Sequence, residues 1–198
     1  MLKQLAFKIR NISKYNTKYM TINTFSTFPT PCIDVHTHMY LPKYMDIMRK
    51  RTDVPKVLTI EGNDRLVILP GEDDEITTST GRPIGKEYYS VDAKLAYMNN
   101  HNISHSVISL ANPWLDFLYG TEAESVAQEL NDELQSICES SNGRLYGFAT
   151  LPVKNMEASI KEVKRLKSLS YIRGVILGTP GAGMGLDHVC IYVYGILC

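Results

Sequence analysis

The sequence has no excess of charge of either sign, because its 21 Lys and Arg residues are matched by 21 Asp and Glu residues. Bulk charge therefore gives no reason to expect binding to nucleic acid or to an anionic membrane, and it favours a small-molecule partner. The apolar runs fall far short of the roughly 20 residues that cross a bilayer, so we expect no membrane span. The 4 cysteines contain no Cys-x-x-Cys pair, which argues against a disulfide scaffold and favours a reduced, cytoplasmic protein.

Acidic residues are missing from the first 33 positions, which nevertheless contain basic residues such as Lys3, Lys8 and Arg10. A basic, acid-free segment with many Ser and Thr residues is typical of a mitochondrial transit peptide. The alternative is a leader that contributes nothing to the fold, with Met20 as an internal start. Pro29 and Pro31 break the chain after this segment, and we treat residues 1–30 as an N-terminal extension.

Two histidines, His36 and His38, end a short apolar run that begins at Cys32. Side chains on a strand alternate between faces, so the two imidazoles are predicted to point the same way, with Asp34 on the same face. Two rings fixed by one backbone supply half of a four-ligand shell, which predicts a site for zinc or another divalent transition metal. The alternative is that these histidines simply close a strand.

The rest of the chain predicts an α/β fold. Residues 57–60 and 65–69 form a predicted β-hairpin around a turn, inserted after the first strand. From Ser90, which is suited to cap a helix, helices and strands alternate, and this order requires parallel strands joined by crossovers. The predicted strands are 106–110, 146–151 and 174–177, and the predicted helices are 91–99, 121–140 and 156–169. Thr121 and Glu124 have the spacing of a capping box at the start of the second of these helices.

The strand ending in Asp34-Val35-His36-Thr37-His38 resembles the opening of the amidohydrolase-related decarboxylases, the family of aminocarboxymuconate semialdehyde decarboxylase. Three later segments resemble the next core strands of that family in order and spacing. They are residues 104–112 (SHSVISLAN), 144–152 (RLYGFATLP) and 173–178 (RGVILG). The resemblance extends from residue 31 to about residue 187, and four ordered segments make it more specific than the histidine motif alone.

The resemblance implies a (β/α)8 TIM barrel of the amidohydrolase superfamily, in which the paired histidines, a third histidine and a late aspartate hold the metal. A further histidine assists proton transfer. The chain is expected to be truncated after about four β/α units, so these later residues would lie beyond it. Residues 31–187 are then a partial barrel, and residues 188–198 are a divergent, uncharged tail. His188 lies where the resemblance ends and cannot be equated with the third histidine.

By resemblance, the expected function is metal-dependent, non-oxidative decarboxylation of an aromatic or heterocyclic carboxylate, by a full-length form that is a homodimer. One alternative is a hydrolase of a cyclic amide or ester. Another is a catalytically silent half-barrel that acts only by association with another chain.

Four residues are candidates for substrate binding. Arg65 and Arg82 lie in the inserted segment, and a guanidinium is the natural partner of a carboxylate. Arg82 lies nearest the position of the family's carboxylate-binding arginine, but each arginine has the ordinary alternative of a surface role. Trp114 follows a strand end, where it would stack on a flat ring or pack on its neighbours. Thr179, in a glycine-rich loop after the last strand, is the fourth candidate.

Overall fold

Four parallel strands form the main sheet of the protein. The computed structural model describes residues 30–178, so the N-terminal extension up to residue 29 and the tail lie outside the described residues. The sheet has the order β1-β5-β6-β7 and is built from β1 (Cys32–His38), β5 (Ile103–Ser109), β6 (Leu145–Ala149) and β7 (Ile172–Val175). The predicted parallel α/β arrangement is therefore confirmed as a partial barrel.

Helices provide the crossovers between these strands. Helix α2 (Val91–Asn100) precedes β5, α3 (Gly120–Ser140) joins β5 to β6, and α4 (Met156–Leu166) joins β6 to β7. Ser90 caps α2 as predicted, since its side chain accepts a hydrogen bond from the Ala93 N–H. None of the helices within residues 30–178 is both long enough and apolar enough to span a membrane.

The predicted capping box at α3 is wrong. The helix already begins at Gly120, after an extended Tyr119 that makes no side-chain capping bond. The capping position is therefore Tyr119 and not Thr121. Gly120 has φ +59, a left-handed conformation that glycine adopts without steric cost, and the extended chain turns into the helix at this residue.

The segment between β1 and α2 forms a second, antiparallel sheet. Its strands are β2 (Lys56–Ile60), β3 (Asn63–Val67) and β4 (Arg82–Pro83), in the order β2-β3-β4. The predicted hairpin insertion is confirmed, with its turn at Glu61 and Gly62, both at positive φ. Two features were missed, namely the short third strand and the helix α1 (Pro42–Lys50) that precedes the sheet.

Helix α1 has a sequence signal that explains it. Pro42 occupies the first turn, where a missing N–H costs nothing. Tyr44, Met45 and Met48 are buried along one side, which is the spacing of an amphipathic helix. Arg49 at the end of α1 donates to the Asp64 carboxylate at 2.7 Å, so the helix is tied to β3.

A buried polar cluster joins α3, α4 and the end of β6. The Asn131 side chain donates to the Thr150 carbonyl at 2.9 Å and to the Glu162 carboxylate at 2.7 Å, and it accepts from the Thr150 N–H at 2.9 Å. Arg165 completes the cluster by donating to both carboxylate oxygens of Glu162 at 2.8 Å. The cluster fixes the position of α4 against β6, because every buried polar group in it depends on the others for a partner.

We expect Asn131→Ala to lower the free energy of unfolding by about 3 kcal/mol, because it leaves several buried polar groups without a partner. Urea denaturation of the purified chain measures this change. Asn100→Ala, at an exposed position at the end of α2, is the matched control and should change stability by less than about 0.5 kcal/mol. Equal losses in the two variants would contradict the assignment of Asn131 to a buried cluster.

Candidate metal and carboxylate site

The two histidine side chains of β1 converge as the sequence predicts. The Nε2 atoms of His36 and His38 are 3.1 Å apart, and the ring centroids are 4.8 Å apart with an interplanar angle of 88°. Both nitrogens therefore face one small region of space, which is the arrangement that two imidazole ligands of one ion require.

Ser109 on β5 lies beside the imidazole of His38, on the side away from His36. Its Oγ is 3.0 Å from Nδ1 of His38 and 3.4 Å from the Thr37 carbonyl. When the hydroxyl donates to the carbonyl, it can accept from Nδ1–H, and the Nε2 lone pair of His38 is then directed towards His36. Burial lowers the pKa of His38, as do the nearby positive charges of His36 and Lys94. Both effects favour the neutral ring that binds metals.

An extra residue interrupts the pairing of β1 with β5. Asp34 lies opposite Ser106, and Thr37 lies opposite Ile108, so three steps along β1 match two steps along β5. This is a β-bulge, and it reverses the alternation of side chains beyond it. A first shift of the opposite sense lies nearer the start of β1, where the one step from Cys32 to Ile33 matches the two steps from Ile103 to His105.

Neighbouring strands show which face each residue takes. Ile108 lies opposite Gly147, and a Cβ on Gly147 would come within 2.7 Å of Leu134 on α3, so this face is covered by helices. Thr37 lies opposite Ile108 and shares that face. His38 lies opposite Ser109 on the other, inner face.

The prediction that Asp34 shares a face with the histidines is therefore wrong. Asp34 lies opposite Ser106, which is on the helix-covered face because it is two residues from Ile108 on β5. It lines a pocket with Thr37 and Lys94. The bulge is the physical reason, since strict alternation from Asp34 would have placed all three side chains together.

A cavity of about 240 Å³ lies next to His38 and is closed on one side by the inserted sheet. Its lining residues come from β1, the insertion and the chain after β5, and they are His38, Tyr40, Leu66, Arg82, Pro83, Ile84, Tyr88, Ala111 and Asn112. The cavity therefore brings a predicted metal ligand and a predicted carboxylate-binding residue to the same place.

Two aromatic residues of this cavity were missed by sequence reasoning. The Tyr40 hydroxyl donates to the Asn112 carbonyl at 3.0 Å, and the Tyr40 ring lies 6.1 Å from the ring of Tyr88. Burial raises the pKa of Tyr40, which keeps this phenol neutral. Tyr40 could have been found from its position two residues after His38, whereas Tyr88 has no comparable signal.

The two candidate arginines differ in what they bind. Arg65 donates to the carbonyls of Ser79, Thr80 and Gly81, with distances of 3.1 Å to Ser79 and 2.9 Å to Gly81. Its guanidinium holds the loop that leads into β4, which favours the structural role for Arg65. Arg82 lines the cavity, and no hydrogen bond to its guanidinium occurs within residues 30–178.

Gly81 positions Arg82 at the start of β4. It has φ +66, and a Cβ at this position would lie 2.6 Å from the Leu66 carbonyl oxygen. Only glycine fits here without moving the backbone, so the approach of β4 to β3 depends on it.

Trp114 is not among the residues that line this cavity. Trp114 donates from Nε1 to the Leu110 carbonyl at 3.1 Å and packs against the core. A Cβ on Gly178 would come within 2.7 Å of the Trp114 indole, so the packing alternative accounts for this side chain. Thr179 lies outside the described residues. Within residues 30–178, no group of three or more His, Cys, Asp or Glu side chains is placed to hold a metal ion.

The chain is similar in sequence to two decarboxylases. No protein-family model matches the chain. It is 30% identical over 89 residues to gamma-resorcylate decarboxylase of Rhodococcus jostii, covering 44% of this chain and 27% of that protein. It is 23% identical over 177 residues to 2-amino-3-carboxymuconate-6-semialdehyde decarboxylase of Caenorhabditis elegans, covering 79% of this chain and 43% of that protein.

Solved structures of decarboxylases match a larger share of this chain. The IDCase of Metarhizium anisopliae in its apo form has 38% sequence identity and a TM-score of 0.77, covering 86% of this chain and 48% of that one. The predicted resemblance to the amidohydrolase-related decarboxylases is confirmed. A second structure shows the same fold as this family at 17% identity and a TM-score of 0.64, covering 85% of this chain and 48% of that one. It is the D314N mutant of 5-carboxyvanillate decarboxylase LigW2 of Novosphingobium aromaticivorans, with bound manganese and a nitrobenzoic acid.

The chain spans less than half the length of these members of the family, between 27% and 48% in the four comparisons.

We expect the purified chain to bind Zn²⁺ through His36 and His38, more weakly than a complete four-ligand site. Replacing either histidine with alanine removes one of the two nitrogen donors, so the affinity should fall at least about tenfold. Isothermal titration calorimetry with Zn²⁺ measures this. His101→Ala is the control, because that ring stacks on Tyr97 at the end of α2, and unchanged affinity in His36→Ala would contradict the prediction.

Proposed function

We propose that this chain supplies the metal-binding histidines and the carboxylate-binding wall of a metal-dependent, non-oxidative decarboxylase. The substrate class is an aromatic or heterocyclic carboxylate. The observation that carries the proposal is the cavity lined by both His38 and Arg82, because the proposed metal ligand and a guanidinium with no hydrogen bond to any group of residues 30–178 lie beside one small, partly aromatic space. The names of the relatives support the same chemistry.

His36 and His38 fit the role of metal ligands. Their Nε2 atoms are 3.1 Å apart, and the Ser109 hydroxyl, 3.0 Å from Nδ1 of His38, can accept from Nδ1–H in the tautomer that leaves Nε2 free to bind a metal. We propose zinc, with other divalent transition metals as alternatives, since imidazole nitrogens suit several of them and LigW2 contains manganese. When bound, the ion would polarise the substrate's carboxylate or a neighbouring oxygen as a Lewis acid.

Arg82 and the two tyrosines would hold the substrate. A guanidinium binds a carboxylate through two parallel hydrogen bonds, which fixes the orientation of the acid as well as its position. Tyr40 and Tyr88 lie on the wall of the cavity, and Tyr88, which is 43% exposed, offers a flat face to a ring. The buried side chains Leu66 and Ile84 form the apolar part of the same wall.

The proposed compartment is the cytoplasm, with the mitochondrion as the alternative raised by the N-terminal composition. The proposed partner is a small carboxylate, and a homodimer is the proposed assembly of the full-length form. The silent half-barrel remains a second candidate, because β1 and β7 are the end strands of the sheet that the structure describes.

We expect Arg82→Met to weaken binding of an aromatic acid such as 2,6-dihydroxybenzoate about tenfold to a hundredfold, because a hydrogen bond to a charged group contributes about 1.5–3 kcal/mol. Arg82→Lys should recover only part of the loss, since an ammonium lacks the forked geometry. Ligand-observed NMR titration gives the affinities. Arg49→Met, on α1 and outside the cavity, is the control, and equal binding by Arg82→Met would argue against the proposed wall.

We expect decarboxylation to be detected as release of carbon dioxide from one or more members of a panel of aromatic and heterocyclic acids, with Zn²⁺ or Mn²⁺ present. Release should disappear in the His36→Ala, His38→Ala double variant, because both proposed ligands are lost. The assay is run on the chain and on a fusion that completes the barrel with the remaining length of a relative.

The products separate the alternatives. Ring opening of a cyclic amide or ester without carbon dioxide would favour the hydrolase. Stoichiometric metal and carbon dioxide release by a monomer of the chain alone would rule out the silent half-barrel. An inactive chain beside an active fusion would support the decarboxylase for the complete barrel only.

A further inference from the structure

The β-bulge between Asp34 and Thr37 places the two histidines on the opposite face of the sheet from Asp34. Alternation continued from Asp34 without an extra residue would place His36 and His38 beside it, on the face covered by helices. The bulge between Asp34 and Thr37 moves them to the inner face, where His38 lines the cavity. The groups that stabilise the bulge therefore also fix the positions of His36 and His38, the proposed metal ligands.

Two hydrogen bonds occupy the bulge. An Asp34 carboxylate oxygen accepts from the His36 N–H at 3.2 Å, which satisfies a backbone donor within the irregular part of the strand. The Lys94 ammonium on α2 donates to the Thr37 hydroxyl at 2.7 Å. The first bond joins His36 to Asp34, two residues before it, and the second holds Thr37, which lies between the two histidines.

The side chains that make these bonds line a pocket of about 250 Å³ on the helix-covered face. Asp34, Thr37 and Lys94 line it together with Glu87 and Tyr97. The Asp34 carboxylate attracts the Lys94 ammonium electrostatically. These groups lie on the opposite side of β1 from the imidazole rings, so they do not contact a ligand in the cavity.

We propose that Asp34, Thr37 and Lys94 are positioning residues that fix the bulge of β1 and thereby direct His36 and His38 to the cavity face. Asp34 acts by accepting the His36 N–H, and Lys94 acts by holding Thr37 against α2. The inference deepens the proposed function, because it rests on the histidine pair as metal ligands. The geometry that it explains is measurable without metal.

Matched substitutions separate the hydrogen bonds from side-chain volume. Asp34→Asn keeps an oxygen that accepts the His36 N–H, whereas Asp34→Ala removes it. Thr37→Ser keeps the acceptor for Lys94, whereas Thr37→Val removes it at almost constant volume. Lys94→Met removes the donor and keeps most of the apolar stem, so it tests the same bond from α2. The Thr37 pair keeps the test valid if Asp34→Ala fails to fold.

The first measurement uses the metal-free chain. With ring centroids 4.8 Å apart, His36 and His38 should give a nuclear Overhauser effect between their ring protons. We expect this signal to be lost in Asp34→Ala, Thr37→Val and Lys94→Met and retained in Asp34→Asn and Thr37→Ser. The second measurement is Zn²⁺ affinity, which should fall about tenfold or more in the first three variants only. Thermal unfolding confirms that each variant is folded.

The outcomes distinguish this inference from the proposed function. Retention of the ring-to-ring signal in Asp34→Ala and Thr37→Val would overturn the inference, and so would equal loss in all five variants. If the wild-type chain gives the signal but binds neither Zn²⁺ nor Mn²⁺, the metal site fails, while loss of the signal in the three variants alone still supports the positioning role.

Discussion

The parallel pairing of β1 with β5 aligns the ends of two strands that are about 70 residues apart in the chain, and the candidate site lies at this alignment. The Met39 N–H donates to the Ser109 carbonyl at 2.9 Å, and the Ser109 hydroxyl contacts His38. Just beyond the strands, Tyr40 reaches the carbonyl of Asn112. Because parallel strands end at the same edge of a sheet, this single pairing brings together residues that sequence separation keeps apart.

The inserted sheet supplies the other half of the cavity. It is anchored by Arg49 on α1 through Asp64 and by Arg65 through the carbonyls of its own loop. Arg65 thus stabilises the wall, and Arg82 lies on it and lines the cavity. The two arginines differ in their surroundings, because the folded loop brings backbone carbonyls to the guanidinium of Arg65.

The sequence patterns predict the regular parts of the molecule well. Helical spacing and the Ser90 cap locate α2, and the β-rich runs locate the hairpin and the three later strands to within a few residues. The patterns fail where a single residue changes local geometry. The β-bulge cannot be seen in the Asp-x-His-x-His spacing, because register depends on the partner strand, and so Asp34 was assigned to the wrong face. Residue type alone does not separate Arg65 from Arg82, because the groups around each guanidinium depend on how the loop folds, and only the family resemblance favours Arg82. Thr121 is a residue type that often caps helices, but α3 already begins at Gly120.

The cavity has two walls that belong to different sheets. One wall carries the nitrogen donors on the parallel sheet, and the other carries Arg82 on a strand of only two residues that depends on Gly81. On the proposed function, changes in the small sheet would alter which acid fits while the imidazole nitrogens keep their spacing. The proposed substrate range and the proposed metal chemistry would then be separable, because each depends on a different sheet.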